Sequence, residues 1–151
     1  MPRIRSQMNV AACSIGDLRA RVHETKADLQ IGMYMTERTH TYTAIGKLME
    51  RHHLRVASSE LKKAEMLAAG GHEVNTILKK QTAVSSTLRD LYIEMAEKTK
   101  RSGYLPEFLR RHAENHYRVK AELFHGRAEL AHMLRGKRAK NGNGSNIPNN
   151  A

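Results

Sequence analysis

Between residues 74 and 95 the large side chains keep step with a coiled coil. Val74, Ile77, Gln81, Val84, Leu88, Leu91 and Met95 recur at alternating spacings of three and four. These are the a and d positions of a heptad, and a strand would need a two-residue alternation instead. Leu78 and Tyr92 widen the stripe at e, a width that suits a bundle better than a bare two-stranded coil. Gln81 puts one polar group into the seam, where its expected role is to fix register.

The remaining sequence obeys the same period. Met, Leu and Ala carry the apolar content, with no Trp and only two Phe. Together with Glu, Lys and Arg they are good helix formers. Ser14-Ile15-Gly16-Asp17 has the form of a capping box. It is followed by one apolar face: Ile15, Leu18, Val22, Leu29 and Met33. Four threonines within residues 36–44 mark a weak point or a turn, because branching at Cβ crowds the preceding helical turn. Beyond it lie two stripes on one helix. One holds Ile45, Leu48, Met49 and Val56; the other holds Leu54, Ala57, Leu61, Ala64 and Ala68. Gly70-Gly71 suits a C-terminal cap. Gly103 with Pro106-Glu107 suits a turn between two helices of roughly 45 Å each.

The expected fold is therefore all-α: an antiparallel helical bundle of three to four long amphipathic helices with coiled-coil-like packing. Its helices are bounded near 14–40, 42–69, 72–102 and 106–136. A basic tail at 1–13 precedes the bundle of 14–136. The Asn- and Gly-rich residues 137–151 are expected to be disordered. With 151 residues, one domain is expected.

Histidines pose the sharpest chemical question. Glu50/His53, Glu122/His125 and Glu129/His132 have the Glu-x-x-His spacing used for ligands in di-iron bundles. Such ligands must project inward. Phasing the last helix places Leu109, His116, Leu123 and Leu130 at a, and His112, Val119, Gly126 and Met133 at d. Ala113, Tyr117, Ala121, Phe124, Ala128 and Ala131 form a second stripe. His125 and His132 then fall opposite both stripes, on the wet side. His112 and His116 are expected in the seam, as hydrogen-bonded neutral groups rather than metal ligands; two ligands do not make a site. No metal and no cofactor is expected.

No Gly-rich phosphate loop, Cys-x-x-Cys pair or nucleophile elbow occurs, so no catalytic role is expected. The favoured role is a helical adaptor or structural subunit of a larger assembly. It would act through helical protein partners or self-association along Leu88, Leu91, Met95, Tyr117, Val119, Leu123, Phe124 and Leu130.

Charge supplies the alternative. The net charge is +11, and residues 98–151 hold twelve basic against four acidic side chains. Lys98, Lys100, Arg101, Arg110 and Arg111 form one cluster, and Arg135, Lys137, Arg138 and Lys140 another. Such clusters suit nucleic acid or an acidic protein surface. A single cysteine, Cys13, forms no internal disulfide, which fits an intracellular, cytoplasmic protein. A mitochondrial leader at the basic N-terminus is the competing expectation. No apolar run has the length of a membrane span.

Overall fold

A computed structural model of the chain describes the backbone of residues 2–40, 44–68 and 72–143, and side chains over 15–36, 38, 46–68 and 74–138. Four helices account for it: α1 (Pro2–His40), α2 (Ala44–Leu67), α3 (His72–Arg101) and α4 (Glu107–Asn143). No strand occurs among the described residues. The fold is an all-α helical bundle.

Neighbours in sequence are neighbours in space: α1 packs on α2, α2 on α3, and α3 on α4. Specific contacts fix the directions. Along α1, Gly16 meets Leu67, His23 meets Glu60, and Gln30 meets His53. The partner number falls as the α1 number rises, so this pair is antiparallel. Ser58–Gln81 and Lys47–Glu94 give the same sense to α2 and α3. Arg89–His125 and Glu97–Arg118 do so for α3 and α4. Lys80 ties α3 back to α1, donating to Glu24 at 2.7 Å and Asp28 at 2.9 Å.

The core is built from large side chains in the middle and small ones outside. Leu54, Leu61, Ile77, Leu78 and Leu88 of the two central helices are fully buried. The outer helices meet them mainly with alanine: Ala20 and Ala27 from α1, and Ala121, Ala128 and Ala131 from α4. Tyr34, Tyr92 and Phe124 supply the bulk these faces lack, and the Tyr92 and Phe124 rings stack at 5.7 Å. Small faces let helix axes approach closely, because the interaxial distance follows the side chains at the contact. At Gly16 the approach is at its limit: a Cβ there would lie 3.0 Å from the Leu67 carbonyl oxygen.

Two helix ends differ from the sequence expectation. α1 starts at Pro2 rather than at the capping box of Ser14. Residues 3–13 hold no Gly or Pro, and Pro2 fits a first turn. α4 continues past Gly136 to Asn143, since one Gly near a helix end costs only about 1 kcal/mol against Ala. The Gly70-Gly71 cap, residues 41–43 of the threonine segment and residues 144–151 of the C-terminal tail lie outside the described residues. No helix among the described residues is long and apolar enough to cross a membrane.

Candidate functional site

The heptad of α3 faces inward as its spacing requires. Val74, Ile77, Gln81, Val84 and Leu88 are buried, while Leu91 and Met95 are half-buried against the same core. Gln81 donates from Nε2 to Ser58 Oγ at 3.3 Å, joining α3 to α2, but its Oε1 has no partner among the described residues. Ser85 Oγ lies in the same buried row without one either.

On α4 both stripes are expected to meet neighbours, and only the second does. Tyr117, Ala121, Phe124, Ala128 and Ala131 form the inward face, with Tyr117 half-buried. Leu109, His112, His116, Val119, Leu123, Gly126, Leu130 and Met133 are all exposed. Val119 is 67% exposed and Leu130 is 59% exposed. His112 and His116 are therefore surface groups, not seam groups. Of the residues expected to meet a partner, Leu88 and Phe124 are core, and Leu91, Met95 and Tyr117 pack against it. Val119, Leu123 and Leu130 are left on the surface.

α1 repeats this arrangement. Ala20, Ala27 and Tyr34 are buried, whereas Ile15, Leu18, Val22, Leu29 and Met33 are exposed. At 100° per residue, the exposed stripe of each outer helix lies on the side opposite its buried alanines. On α2 the Leu54, Ala57, Leu61 and Ala64 stripe is core, and Leu48 and Met49 are exposed. The buried faces carry alanines seven residues apart at 20/27, 57/64 and 121/128, a spacing that marks small faces without choosing between them and the larger aliphatic stripes.

The expected cationic clusters separate. Lys98 is engaged by Glu94 at 2.6 Å, and Arg111 pairs with Glu107. Lys100, Arg101 and Arg110 make no ion pair among the described residues. They flank the α3–α4 turn, where Tyr104 is fully exposed and Phe108 is 72% exposed. Arg135, Lys137 and Arg138 lie near the far end of α4, about 38 Å from Arg110 at helical rise. The side chain of Lys140 lies outside the described residues. A third set of cations, which sequence reasoning missed, faces a groove of about 360 Å³ between α2 and α4: Arg55, Lys62, Lys120 and Arg127. Both helices present them at i and i+7, a pattern visible only once the helices are known to be adjacent.

Of the Glu-x-x-His pairs, Glu50 and His53 are buried, and His53 Nδ1 lies 2.8 Å from Gln30 Oε1. Glu122, His125, Glu129 and His132 are exposed. Among the described residues no three His, Cys, Asp or Glu side chains converge as a metal site would need.

Ion pairs within and between helices tune three charges. Hydrogen bonds from Lys63 and His23 hold the Glu60 carboxyl below its usual value. Lys98 does the same for Glu94, with help from Lys47. Burial opposes the charge of Lys80, yet hydrogen bonds to Glu24 and Asp28 outweigh it and raise its pKa. A cleft of about 460 Å³ lined by Tyr34, Arg38, Lys47, Glu50, Asp90 and Glu94 mixes both signs of charge. Thr87 and Leu91 complete its lining, and the Thr87 hydroxyl donates to the Ala83 carbonyl at 2.9 Å. No protein-family model, curated protein or solved structure matches the chain.

Proposed function

We propose that the protein is a noncatalytic helical adaptor or structural subunit that docks helical partners along the outer faces of α1 and α4. One observation carries this reading: both outer helices bury alanines and turn most of their large aliphatic side chains to solvent, Ile31 and Leu134 being half-buried against the core. Apolar stripes of this length on two long helices are the feature by which amphipathic helices recognise one another. Each buried CH₂ contributes about 0.8 kcal/mol, so covering several Leu, Val and Met side chains is a substantial driving force.

The test is an affinity purification from the native source at moderate salt, with and without nuclease. The unmodified chain is compared with Leu18→Lys/Leu29→Lys and Leu123→Lys/Leu130→Lys variants. Defined helical partners should be retained through nuclease treatment and lost with at least one variant. Recovery of the same proteins by all three chains would remove the reading.

A second reading, binding of single-stranded nucleic acid, is favoured by the α3–α4 turn. Tyr104 and Phe108 stand free beside Lys100, Arg101 and Arg110. Exposed aromatics among cations are what strand binding uses, with about 1–3 kcal/mol per stacked base. A labelled oligonucleotide should then bind at low salt, weaken steeply with ionic strength, and lose affinity in Tyr104→Ala/Phe108→Ala. Absence of binding at low salt would end this alternative.

A further inference from the structure

From the exposed stripe of α4 and the charges beside it, we infer that the chain self-associates as a parallel dimer in which α4 pairs in register with α4 of a second copy. The inference rests on the α4 stripe being a docking face and names its occupant. Residues 109, 112, 116, 119, 123, 126, 130 and 133 are consecutive a and d positions, and all are exposed. The flanking g positions are Asn115, Glu122 and Glu129, and the e positions are Lys120, Arg127 and Leu134.

Orientation follows from these flanks. In a parallel pair each g residue faces the e residue five positions later on the other strand. Glu122 then meets Arg127 of the second copy, twice by symmetry. Asn115 meets Lys120, Glu129 meets Leu134, and no like charges oppose. An antiparallel pair would set g against g and e against e. Glu122 and Glu129 would then face acids, and Lys120 and Arg127 would face bases.

Neither Glu122 nor Arg127 makes an ion pair with a described residue of its own chain. At five residues apart they cannot reach each other on one helix. Arg127 is instead held 5.1 Å over the Phe124 ring, at the edge of the stripe. The α1 stripe is a poorer candidate for a parallel pair with itself, since Arg21 at g would face Lys26 at e. Every a and d position of the stripe is exposed, and its e flank, Lys120 and Arg127 with Leu123, borders the groove that α4 forms with α2, so a second α4 would lie alongside that groove.

Sedimentation equilibrium of the full chain at physiological salt should show a monomer–dimer equilibrium. Leu123→Lys/Leu130→Lys should leave a helical monomer, because both positions are exposed in the single chain. Glu122→Arg and Arg127→Glu should each weaken the dimer by about tenfold, and their combination should restore it. Gly126→Leu should tighten it: nothing lies within 4 Å of a Cβ at Gly126 in the single chain, and a d position favours Leu.

Direction is read by Val119→Cys in a Cys13→Ser background. Parallel in-register pairing brings the two thiols together, so a disulfide-linked dimer should form on mild oxidation. Monomeric behaviour throughout, a dimer indifferent to the charge swaps, or no Val119→Cys cross-link would overturn the inference. A monomer whose Leu123→Lys/Leu130→Lys variant still loses a nuclease-resistant helical partner would sink self-association alone and leave the adaptor reading standing. A monomer in which neither that variant nor Leu18→Lys/Leu29→Lys loses a partner would remove both.

Discussion

At the scale of single residues, size and location separate sharply. Leu88 and Val119 both sit in apolar stripes, yet Leu88 is fully buried and Val119 is 67% exposed. Leu88→Ala should cost about 2–5 kcal/mol in urea unfolding, from lost transfer energy plus the cavity left behind. Val119→Ala should stay within about 0.5 kcal/mol in the single chain. Gln81 is the opposite case. Its Oε1 is buried without a partner among the described residues, and such an acceptor costs about 1–3 kcal/mol when left unpaired. Gln81→Leu should therefore match or exceed the unmodified chain in thermal stability, despite losing the 3.3 Å bond to Ser58. A drop of several kcal/mol would show that this bond matters more than the bare carbonyl.

Helices are chosen by their small faces. Ala57 on α2 is fully buried, as are Ala20 and Ala27 on α1. These contacts set how near the axes lie, so Ala57→Leu should overpack the seam and cost about 1–3 kcal/mol by denaturant titration. The heptad of α3 was readable because a central helix buries nearly all of its apolar width, and spacing then identifies the face. On α1 and α4 the same rule pointed to Ile15, Leu18 and Val22, and to Val119, Leu123 and Leu130. Those side chains are exposed because each outer helix has only one wall to pack on, and that wall takes the alanines. Side-chain volume shows that a stripe is apolar. It does not show which of two stripes the chain itself can cover.

Across the whole molecule, the helices are joined by charge as well as by oil. Glu60 links α2 to α1 through His23, and Glu94 links α3 to α2 through Lys47. Both carboxyls are held below their ordinary value, Glu60 first by Lys63 of its own helix and then by His23, and Glu94 first by Lys98 of its own helix and then by Lys47. Their contribution is present at neutral pH, fades as the pH drops below the ordinary value of 4.5, and is gone below the lowered folded values. Urea midpoints at pH 7, 5 and 3 should fall most steeply at the acid end, and Glu60→Gln should flatten that fall. Lys80 acts at the other end of the scale. Its raised pKa keeps its bridge to α1 through neutral pH and releases it only above the ordinary lysine range.

What the amino acids determined alone was the class of object: helices, their approximate bounds from the end of α1 to the start of α4, their order and the inward face of α3. These follow from local periodicity, turn residues and propensity, which act over a few residues. Which stripe of α1 and α4 faces inward, which cations of α2 and α4 share a groove, and which charges pair across helices were decided by tertiary structure. Those choices compare contacts between segments far apart in sequence, where close approach over alanines competes with burial of larger side chains, and no local window contains both sides of that comparison.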